Sequence, residues 1–180
     1  MDDICAIATP YGVGAISIIR ASGTNAINLV NKIFKGKDLT KVKSHTINYG
    51  YIMDNDEIVD EVLALVYKEP KSFDGENMVE ISCHGGIFVT NQVLKVLLKN
   101  GFRMATPGEF SKRAFLNKKM DLTMAESVMD IIASTNKIAL KSSQASLRSQ
   151  TSKLIHSFRD VLLDLIAKIE VNIDYPEYED

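Results

Sequence analysis

One carboxylate that could carry chemistry, Glu80, lies in the middle of a strand-like segment. In residues 72–86, SFDGENMVEISCHGG, Val79 and Ile81 fall on one face of a predicted strand, so Glu80 falls on the other. One carboxylate can accept two adjacent N–H donors, such as those of a pterin ring. The same position would also suit an acid at a sheet edge that faces water. The segment therefore predicts either a recognition acceptor or an edge charge.

Two glycine-containing turns could lie against an anion. His84, Gly85 and Gly86 precede a predicted helix, where backbone N–H groups and the helix dipole favour negative charge. His84 itself is more typical of a turn or cap than of a catalytic base. Gly12 and Gly14 lie in the segment ATPYGVGAISIIRASG (residues 8–23), which lacks the GxxxxGK[ST] pattern. A turn with positive φ explains these two glycines without a nucleotide.

Residues 106–126, TPGEFSKRAFLNKKMDLTMAE, are predicted to contain two helix starts in series. Thr106, Pro107 and Glu109 have the pattern of an N-cap, a first-turn proline and a capping-box acid. Thr123 and Glu126 repeat the cap and the acid.

Four cations, Lys112, Arg113, Lys118 and Lys119, lie between the two predicted starts and are followed by Asp121, which could itself cap the second helix. A cationic loop between two capped helices would suit an anionic ligand, although surface lysines are usually only solvated. Nothing in the three segments forms a set of nucleophile, base and orienting group. The sequence therefore predicts binding rather than bond-making, with no catalytic and no metal-ligating residue.

Composition narrows the classes of function. A chain of 180 residues with 46% hydrophobic residues suits one domain, or one domain with a helical extension. A net charge of -2 argues against a protein that coats nucleic acid. The sequence shows no signal peptide and no apolar run of membrane-span length, which predicts a cytoplasmic protein without a membrane partner. Cys5 and Cys83 are expected to be reduced and buried, and the three histidines give no zinc spacing.

The first two thirds of the chain alternate between strand-like and helix-like segments. Helical spacing occurs over residues 24–34, closed by Gly36, and over residues 89–97, closed by Gly101. Strand-like patterns cover six segments, two of which flank the hairpin signature Asp54-Asn55-Asp56: 5–9, 15–20, 46–53, 58–67, 78–83 and 102–105. Strands with interspersed helices predict an α+β fold with a mixed or largely antiparallel sheet.

From Asp121 onward the character changes, because neither a glycine nor a strand signal appears again. Residues 136–172 could form one helix about 55 Å long at 1.5 Å per residue. Its predicted apolar stripe is broad: Leu154, Ile155, Phe158, Val161, Leu162, Leu165, Ile166 and Ile169. Such a stripe needs a partner surface, either in a hairpin docked on the sheet domain or in bundle helices outside this chain. The sequence favours a partial bundle whose remaining helices lie outside the chain.

The three segments, in this order and at this spacing, together with the closing VNIDYPEYED, resemble the N-terminal part of the tRNA uridine-modification GTPase family called MnmE or TrmE. In that family this part is similar to the tetrahydrofolate-binding domain of glycine-cleavage aminomethyltransferases, binds a one-carbon folate and mediates dimerisation. A helical domain interrupted by a GTPase domain follows. The resemblance implies a folate-binding and dimerisation domain over residues 1–119. It implies the first part of the helical domain, truncated before the GTPase domain, over residues 120–180.

Carried over residue by residue, the resemblance implies folate contacts at Arg20, Glu80 and Lys119. The implied ligand is 5-formyl- or 5,10-methylene-tetrahydrofolate. Within that set we expect Glu80 to accept the ring donors, and the two cations to bind the carboxylates of the folate tail. The other cations of residues 106–126, Arg113 among them, are expected to be solvated surface.

The resemblance also implies the partners and cofactors of a complete protein. These are GTP, Mg²⁺ and K⁺ for a GTPase domain, and tRNA with the FAD-dependent subunit MnmG (GidA) for an aminomethyl-type addition at C5 of the wobble uridine. The family's Walker A, Mg²⁺-binding, guanine-recognition and C-x-G-K motifs are missing from these 180 residues. Cys83 lies in the wrong segment to replace the cysteine of the last motif. GTP hydrolysis is therefore expected of the complete protein and not of this chain alone.

Two alternatives stay open at this point. A stand-alone aminomethyl- or formyltransferase acting on bound folate would need an acid or base from His84, Asp121 or Glu109. A purely structural dimerisation module would use the sheet domain and the apolar stripe as interfaces and would bind no folate.

Overall fold

A computed structural model describes residues 2–147 and 150–174. The chain divides into two compact units, Met1–Lys119 and Met120–Asp180. A mixed sheet with three helices forms the first unit, and the described part of the second unit is helical. The predicted α+β class with a helical C-terminal segment is confirmed.

The first unit is built on a seven-stranded sheet with the order β3-β4-β5-β6-β2-β1-β7. The strands are β1 (Ile4–Ile7), β2 (Ile16–Ser22), β3 (Phe34–Gly36), β4 (Thr46–Asp54), β5 (Glu57–Tyr67), β6 (Met78–His84) and β7 (Arg103–Met104). Neighbouring strands are antiparallel except β1 and β7, which are parallel. The sequence did not predict β3, because Phe34 reads as the end of a helix. In the structure Phe34 pairs with Ile52 of β4 and makes an edge strand.

The first unit also contains the helices α1 (Ala26–Ile33), α2 (Ile87–Lys99) and α3 (Glu109–Leu116). α1 and α2 share the hydrophobic core with alternate residues of the strands, such as Val62, Ala64 and Val66 of β5. The intervening residues of the same strands point to the other face of the sheet. Several large apolar side chains on that open face are exposed: Ile16, Ile47, Tyr49 and Leu63.

The second unit contains α4 (Leu122–Ala133), α5 (Lys137–Leu147) and α6 (Gln150–Asp174), and α4 packs on α5. Residues 148–149 of the predicted single helix over residues 136–172 lie outside the described residues. Residues 175–180 of the closing motif lie outside them as well. The eight predicted stripe residues all lie on α6, and each is at least 50% exposed.

Helices α3 and α4 begin close to the two predicted helix starts, but the capping contacts differ in part from the prediction. α3 begins at Glu109 after Gly108, and Thr106 contributes its backbone N–H, which donates to Glu109 Oε2 at 2.9 Å. Only the acid half of the predicted capping box therefore forms. α4 is capped by Asp121, whose Oδ1 accepts from the backbone N of Met124 at 2.8 Å. Of the two caps that the sequence offered, Asp121 is confirmed and Thr123 is wrong, because Thr123 lies inside the helix and donates to Asp121 Oδ1 at 2.7 Å.

The glycine pair after β6 provides a test of this packing. A Cβ on Gly85 would lie 2.5 Å from the carbonyl oxygen of Gly14, whereas a Cβ on Gly86 would meet only a Val89 methyl group at 3.9 Å. We expect Gly85→Ala to lower the free energy of unfolding by about 2–3 kcal/mol, because the clash is with backbone. Gly86→Ala should change it by less than about 1 kcal/mol. Urea denaturation followed by circular dichroism measures both, and equal losses would contradict this account.

Candidate ligand-binding site

Arg20 and Glu80 form an ion pair on the open face of the sheet. They are direct partners in the register of β2 and β6. Arg20 donates to Glu80 Oε1 from Nε at 2.9 Å and from Nη2 at 2.7 Å. The two side chains are only 23% and 17% exposed. Because β6 lies between β5 and β2, Glu80 is not an acid at a sheet edge.

Aromatic side chains surround this ion pair. The guanidinium carbon of Arg20 lies 4.9 Å from the ring centroid of Phe73 and 5.4 Å from that of Phe110, which is cation–π geometry. The hydroxyl of Tyr67 donates to Glu80 Oε2 at 3.4 Å. Burial, together with the neighbouring charge of Glu80, raises the pKa of Tyr67. The phenol therefore stays protonated and remains a donor at neutral pH.

A cavity of about 530 Å³ opens onto the ion pair. Its described lining residues are Arg20, His45, Tyr67, Lys71, Ser72, Phe73, Met78, Glu80 and Lys119. The structure thus brings Arg20, Glu80 and Lys119 to one cavity, although they lie far apart in the sequence. A volume of this size is typical of small-molecule sites.

The cavity lining also contains two lysines in addition to the ion pair. Arg20 and Glu80 neutralise each other, while Lys71 and Lys119 are exposed. Lys119 Nζ donates to the carbonyl oxygen of Pro70 at 3.0 Å, which places the amine beside the loop that follows β5. The cavity therefore offers the hydrogen-bonding pair of Arg20 and Glu80, which has aromatic neighbours. It also offers two cations, Lys71 and Lys119, that could bind an anionic group.

Six lining residues were not among the sequence-based candidates: His45, Tyr67, Lys71, Ser72, Phe73 and Met78. Tyr67 ends β5 on the same face as Leu65, which pairs with Glu80, so strand alternation could have indicated it. His45 lies just before β4 with a φ of 63°, and its ring meets the ring of Tyr67 edge-on at 5.3 Å. His45, Lys71 and Phe73 come from irregular segments, so only the fold brings them to the cavity.

Arg113 was expected to be solvated, and that expectation is wrong. Its side chain is only 3% exposed. Nη2 donates to Asp2 Oδ1 at 2.7 Å and to Glu109 Oε1 at 3.0 Å. Nη1 donates to Glu76 Oε2 at 3.0 Å. A guanidinium that is paired with several carboxylates can be buried, whereas an unpaired one would be strongly destabilising.

Glu109 belongs to the same salt-bridged cluster. Its Oε1 accepts from Arg103 Nη2 at 2.5 Å, and its Oε2 accepts from Arg103 Nη1 at 2.9 Å. Hydrogen bonds from Arg103 hold the pKa of Glu109 well below its usual range. A carboxylate that is so fully engaged is a poor general base. Asp121 caps α4 of the second unit, so it too has a structural role.

His84 is held by an acid on the neighbouring strand. Its Nδ1 lies 2.7 Å from Asp60 Oδ1, and its backbone N donates to Asp60 Oδ2 at 2.8 Å. The hydrogen bond to Asp60 raises the pKa of His84. His84 lines a separate cavity of about 270 Å³ with Tyr49 and Leu63 among its neighbours, so it lies apart from the Arg20–Glu80 pair. The ion pair with Asp60 accounts for this histidine without a ligand.

Three further sequence-based expectations concern cysteines, metals and membranes. Cys5 and Cys83 are buried free thiols, and burial raises the pKa of Cys5 to about 12. Within residues 2–147 and 150–174, no three side chains of the His, Cys, Asp or Glu types are arranged to hold a metal ion. Among the helices of the described chain, none combines the length and apolarity that a membrane span requires.

Comparison with known proteins gives matches along almost the whole chain. The family model for the GTP-binding protein TrmE N-terminus matches residues 3–119, and the model for the MnmE helical domain matches residues 122–180. The tRNA modification GTPase MnmE of Aster yellows witches'-broom phytoplasma (strain AYWB) is 57% identical over 180 residues, which is 99% of this chain and 39% of that protein. The tRNA modification GTPase MnmE of Streptococcus thermophilus (strain CNRZ 1066) is 53% identical over 179 residues, again 99% of this chain and 39% of the relative. The chain therefore spans about two fifths of the length of the curated relatives it matches.

The Asp60–His84 pair predicts a pH dependence. Because Asp60 favours the charged imidazolium, His84 should titrate above the ordinary histidine value of about 6.5. Its contribution to stability should be fully present below about pH 6.5 and disappear as the pH rises through its folded pKa. An NMR titration of the imidazole resonances measures this pKa. Asp60→Asn should lower it, whereas Asp56→Asn in the hairpin turn should leave it unchanged; an unaltered pKa in Asp60→Asn would contradict the assignment.

Proposed function

Since the chain belongs to the MnmE (TrmE) family, we propose that residues 1–119 form a domain that binds a one-carbon tetrahydrofolate, 5-formyl- or 5,10-methylene-. The binding site is the cavity that contains Arg20, Glu80 and Lys119. The observation that carries this proposal is the half-buried ion pair of Arg20 and Glu80 with its aromatic neighbours. Residues 120–180 are the first part of the family's helical domain.

The ion pair offers an acceptor beside a donor, which suits the polar edge of a pterin. Both bonds from Arg20 go to Oε1 of Glu80, and Oε2 receives only the longer 3.4 Å contact from Tyr67. Oε2 can therefore accept the adjacent N–H donors of the ring, while the Arg20 guanidinium can donate to the neighbouring ring carbonyl. Phe73 and Tyr67 supply flat surfaces for the ring itself.

The same geometry changes the expected division of roles among the cations. Arg20 is paired with Glu80 and lies over Phe73, so it belongs to the ring end of the cavity. Lys119 and Lys71 remain for the carboxylates of the folate tail. We therefore assign the tail to these two lysines and not to Arg20.

A titration with 5-formyltetrahydrofolate tests the assignment of Glu80. Glu80→Gln should weaken binding by about 10- to 100-fold, because hydrogen bonds to a charged acceptor contribute about 1.5–3 kcal/mol. Glu61→Gln is the matched control, since Glu61 lies on β5 beside the separate 270 Å³ cavity. Isothermal titration calorimetry gives the dissociation constants, and circular dichroism confirms that both variants are folded. Wild-type binding no tighter than that of a glutamate peptide of equal charge would exclude the folate site.

We also propose that the first unit forms a homodimer through the open face of its sheet. Exposed apolar side chains on this face are Ile16, Ile47, Tyr49 and Leu63, with exposures of 63%, 65%, 55% and 42%. Such a contiguous apolar surface is typical of a protein interface. A second copy of this chain is the partner that the family resemblance implies.

Sedimentation analysis of the whole chain tests this interface. Leu63→Glu should weaken the dimer by at least about tenfold, because it places a charge in the centre of a desolvated surface. Leu162→Glu on α6 is the control and should leave the dimer intact. Dissociation by Leu162→Glu but not by Leu63→Glu would show that α6 carries the association instead.

The domain is proposed to serve a complete protein that hydrolyses GTP with Mg²⁺ and K⁺. With an FAD-dependent MnmG (GidA) partner, that protein would modify the wobble uridine of tRNA in the cytoplasm. Support comes from the name tRNA modification GTPase carried by relatives that are about two and a half times as long as this chain. The alternative of a stand-alone transferase is weakened, since Glu109 and His84 are engaged by Arg103 and Asp60.

A further inference from the structure

Arg113 joins three separate segments of the first unit although it lies outside the ligand cavity. From α3 it reaches Asp2, near the start of the chain, through both the side chain and the carbonyl oxygen of that residue, at 2.7 and 2.8 Å. It also reaches Glu76, in the irregular segment between β5 and β6, at 3.0 Å. The Arg113 side chain is 3% exposed and that of Glu76 is 12% exposed. This buried pair therefore connects α3 to residues 72–77, named here the cavity loop.

The cavity loop is held at a second point by Asp74. This residue is fully buried, and its Oδ2 accepts from the hydroxyl of Ser22 at 2.5 Å. Its Oδ1 accepts from the backbone N of Glu76 at 3.1 Å. Phe73 lies next to this anchor and presents its ring to Arg20 in the ligand cavity. The position of Phe73 thus depends on the two buried acids that follow it.

Residues 117–119 lie directly on the cavity loop. Asn117 Nδ2 donates to the carbonyl oxygen of Asp74 at 2.8 Å and to Glu76 Oε1 at 3.4 Å. Gly75 has a φ of +85°, and a Cβ on it would lie 3.0 Å from Lys119 Cγ. The aliphatic part of Lys119 therefore packs on the backbone of Gly75. The cavity loop, which itself contributes Ser72 and Phe73 to the lining, therefore also supports Lys119.

We propose that Arg113 is a positioning residue for the ligand cavity and that it acts through Glu76. By fixing the cavity loop, it holds Phe73 against Arg20 and provides the surface on which Lys119 rests. This inference rests on the proposed folate site, because it assigns Arg113 a role in ligand affinity. Neither Arg113 nor Glu76 lines the cavity, so both act indirectly.

The balance of acids and arginines in the salt-bridged cluster determines which substitution perturbs the cavity loop with the least change in buried charge. The salt-bridged side chains are those of Asp2, Glu76, Glu109, Arg103 and Arg113. Glu76→Gln keeps the shape of the side chain and leaves two acids with two arginines. It weakens the tie to the cavity loop without leaving an excess buried acid in this cluster. Arg113→Lys keeps the charge but loses the planar fork that reaches several carboxylates at once.

Arg103→Gln is the matched control. Arg103 belongs to the same cluster and donates to Asp2 and Glu109. Its bonds do not include Glu76 or any other residue of the cavity loop within the described chain. A general loss of cluster stability should therefore appear in Arg103→Gln as well, whereas a loss of loop position should not.

Two measurements separate positioning from stability. In the first, 5-formyltetrahydrofolate is titrated into the wild type and the three variants at a temperature at which all are folded. Glu76→Gln and Arg113→Lys should weaken binding by about 3- to 30-fold, and Arg103→Gln by less than about twofold. Similar losses in all three variants, or no loss in Glu76→Gln, would overturn the proposal.

The second measurement needs no ligand. The sequence contains no tryptophan, so Phe73→Trp introduces a single fluorescent reporter into the cavity loop. In that background Glu76→Gln should shift the emission to longer wavelength and increase acrylamide quenching, while Arg103→Gln should change neither. If the wild type does not bind the folate, the proposed function fails. The emission then decides the positioning role alone: a shift supports it and an unchanged spectrum overturns it.

Discussion

The ion pair between Arg20 and Glu80 depends on the register of β2 and β6. In this register Ile19 pairs with Ile81, and both are completely buried, while Arg20 and Glu80 meet on the opposite face. Because side chains alternate along a strand, a slip of one residue would turn the charged residue of one strand towards the hydrophobic core. The core on one face and the charged pair on the other therefore specify the same alignment.

A half-buried pair of this kind also constrains what surrounds it. Partial exclusion of water strengthens the attraction between the two charges, but it makes any unpaired hydrogen-bonding group costly. Tyr67 from β5 donates a hydrogen bond to Glu80, and the ring of Phe73 makes a cation–π contact with Arg20. The sheet alone provides only the first of these contacts. The contact between Phe73 and Arg20 depends on the cavity loop. The buried acids Asp74 and Glu76, which hold that loop, therefore also affect the surroundings of the ion pair on the sheet.

Local patterns were sufficient for most of the sheet and for the face on which Glu80 lies, because alternation is a property of each strand alone. They were insufficient for Arg113, whose sequence neighbourhood shows only a cation four residues after Glu109. The residues that bury it, Asp2 and Glu76, lie 111 and 37 positions away along the chain. The cap of α4 was left open between Thr123 and Asp121 for a different reason. Both side chains carry an oxygen suited to capping, so their types alone could not decide the helix start.

Helix α3 connects the ligand cavity to the cluster behind it. Phe110 and Arg113 are three residues apart, a spacing that places side chains near one another on a helix. Phe110 meets the guanidinium of Arg20 at 5.4 Å, and Arg113 meets Glu76 at 3.0 Å. At the end of the same helix, the backbone N of Lys119 donates to the carbonyl oxygen of Ala114 at 2.8 Å, which fixes where the lysine leaves the helix. A displacement of α3 would therefore move Phe110, Arg113 and Lys119 together. The position of this one short helix thus affects the ion pair, the cavity loop and a cation of the cavity at the same time.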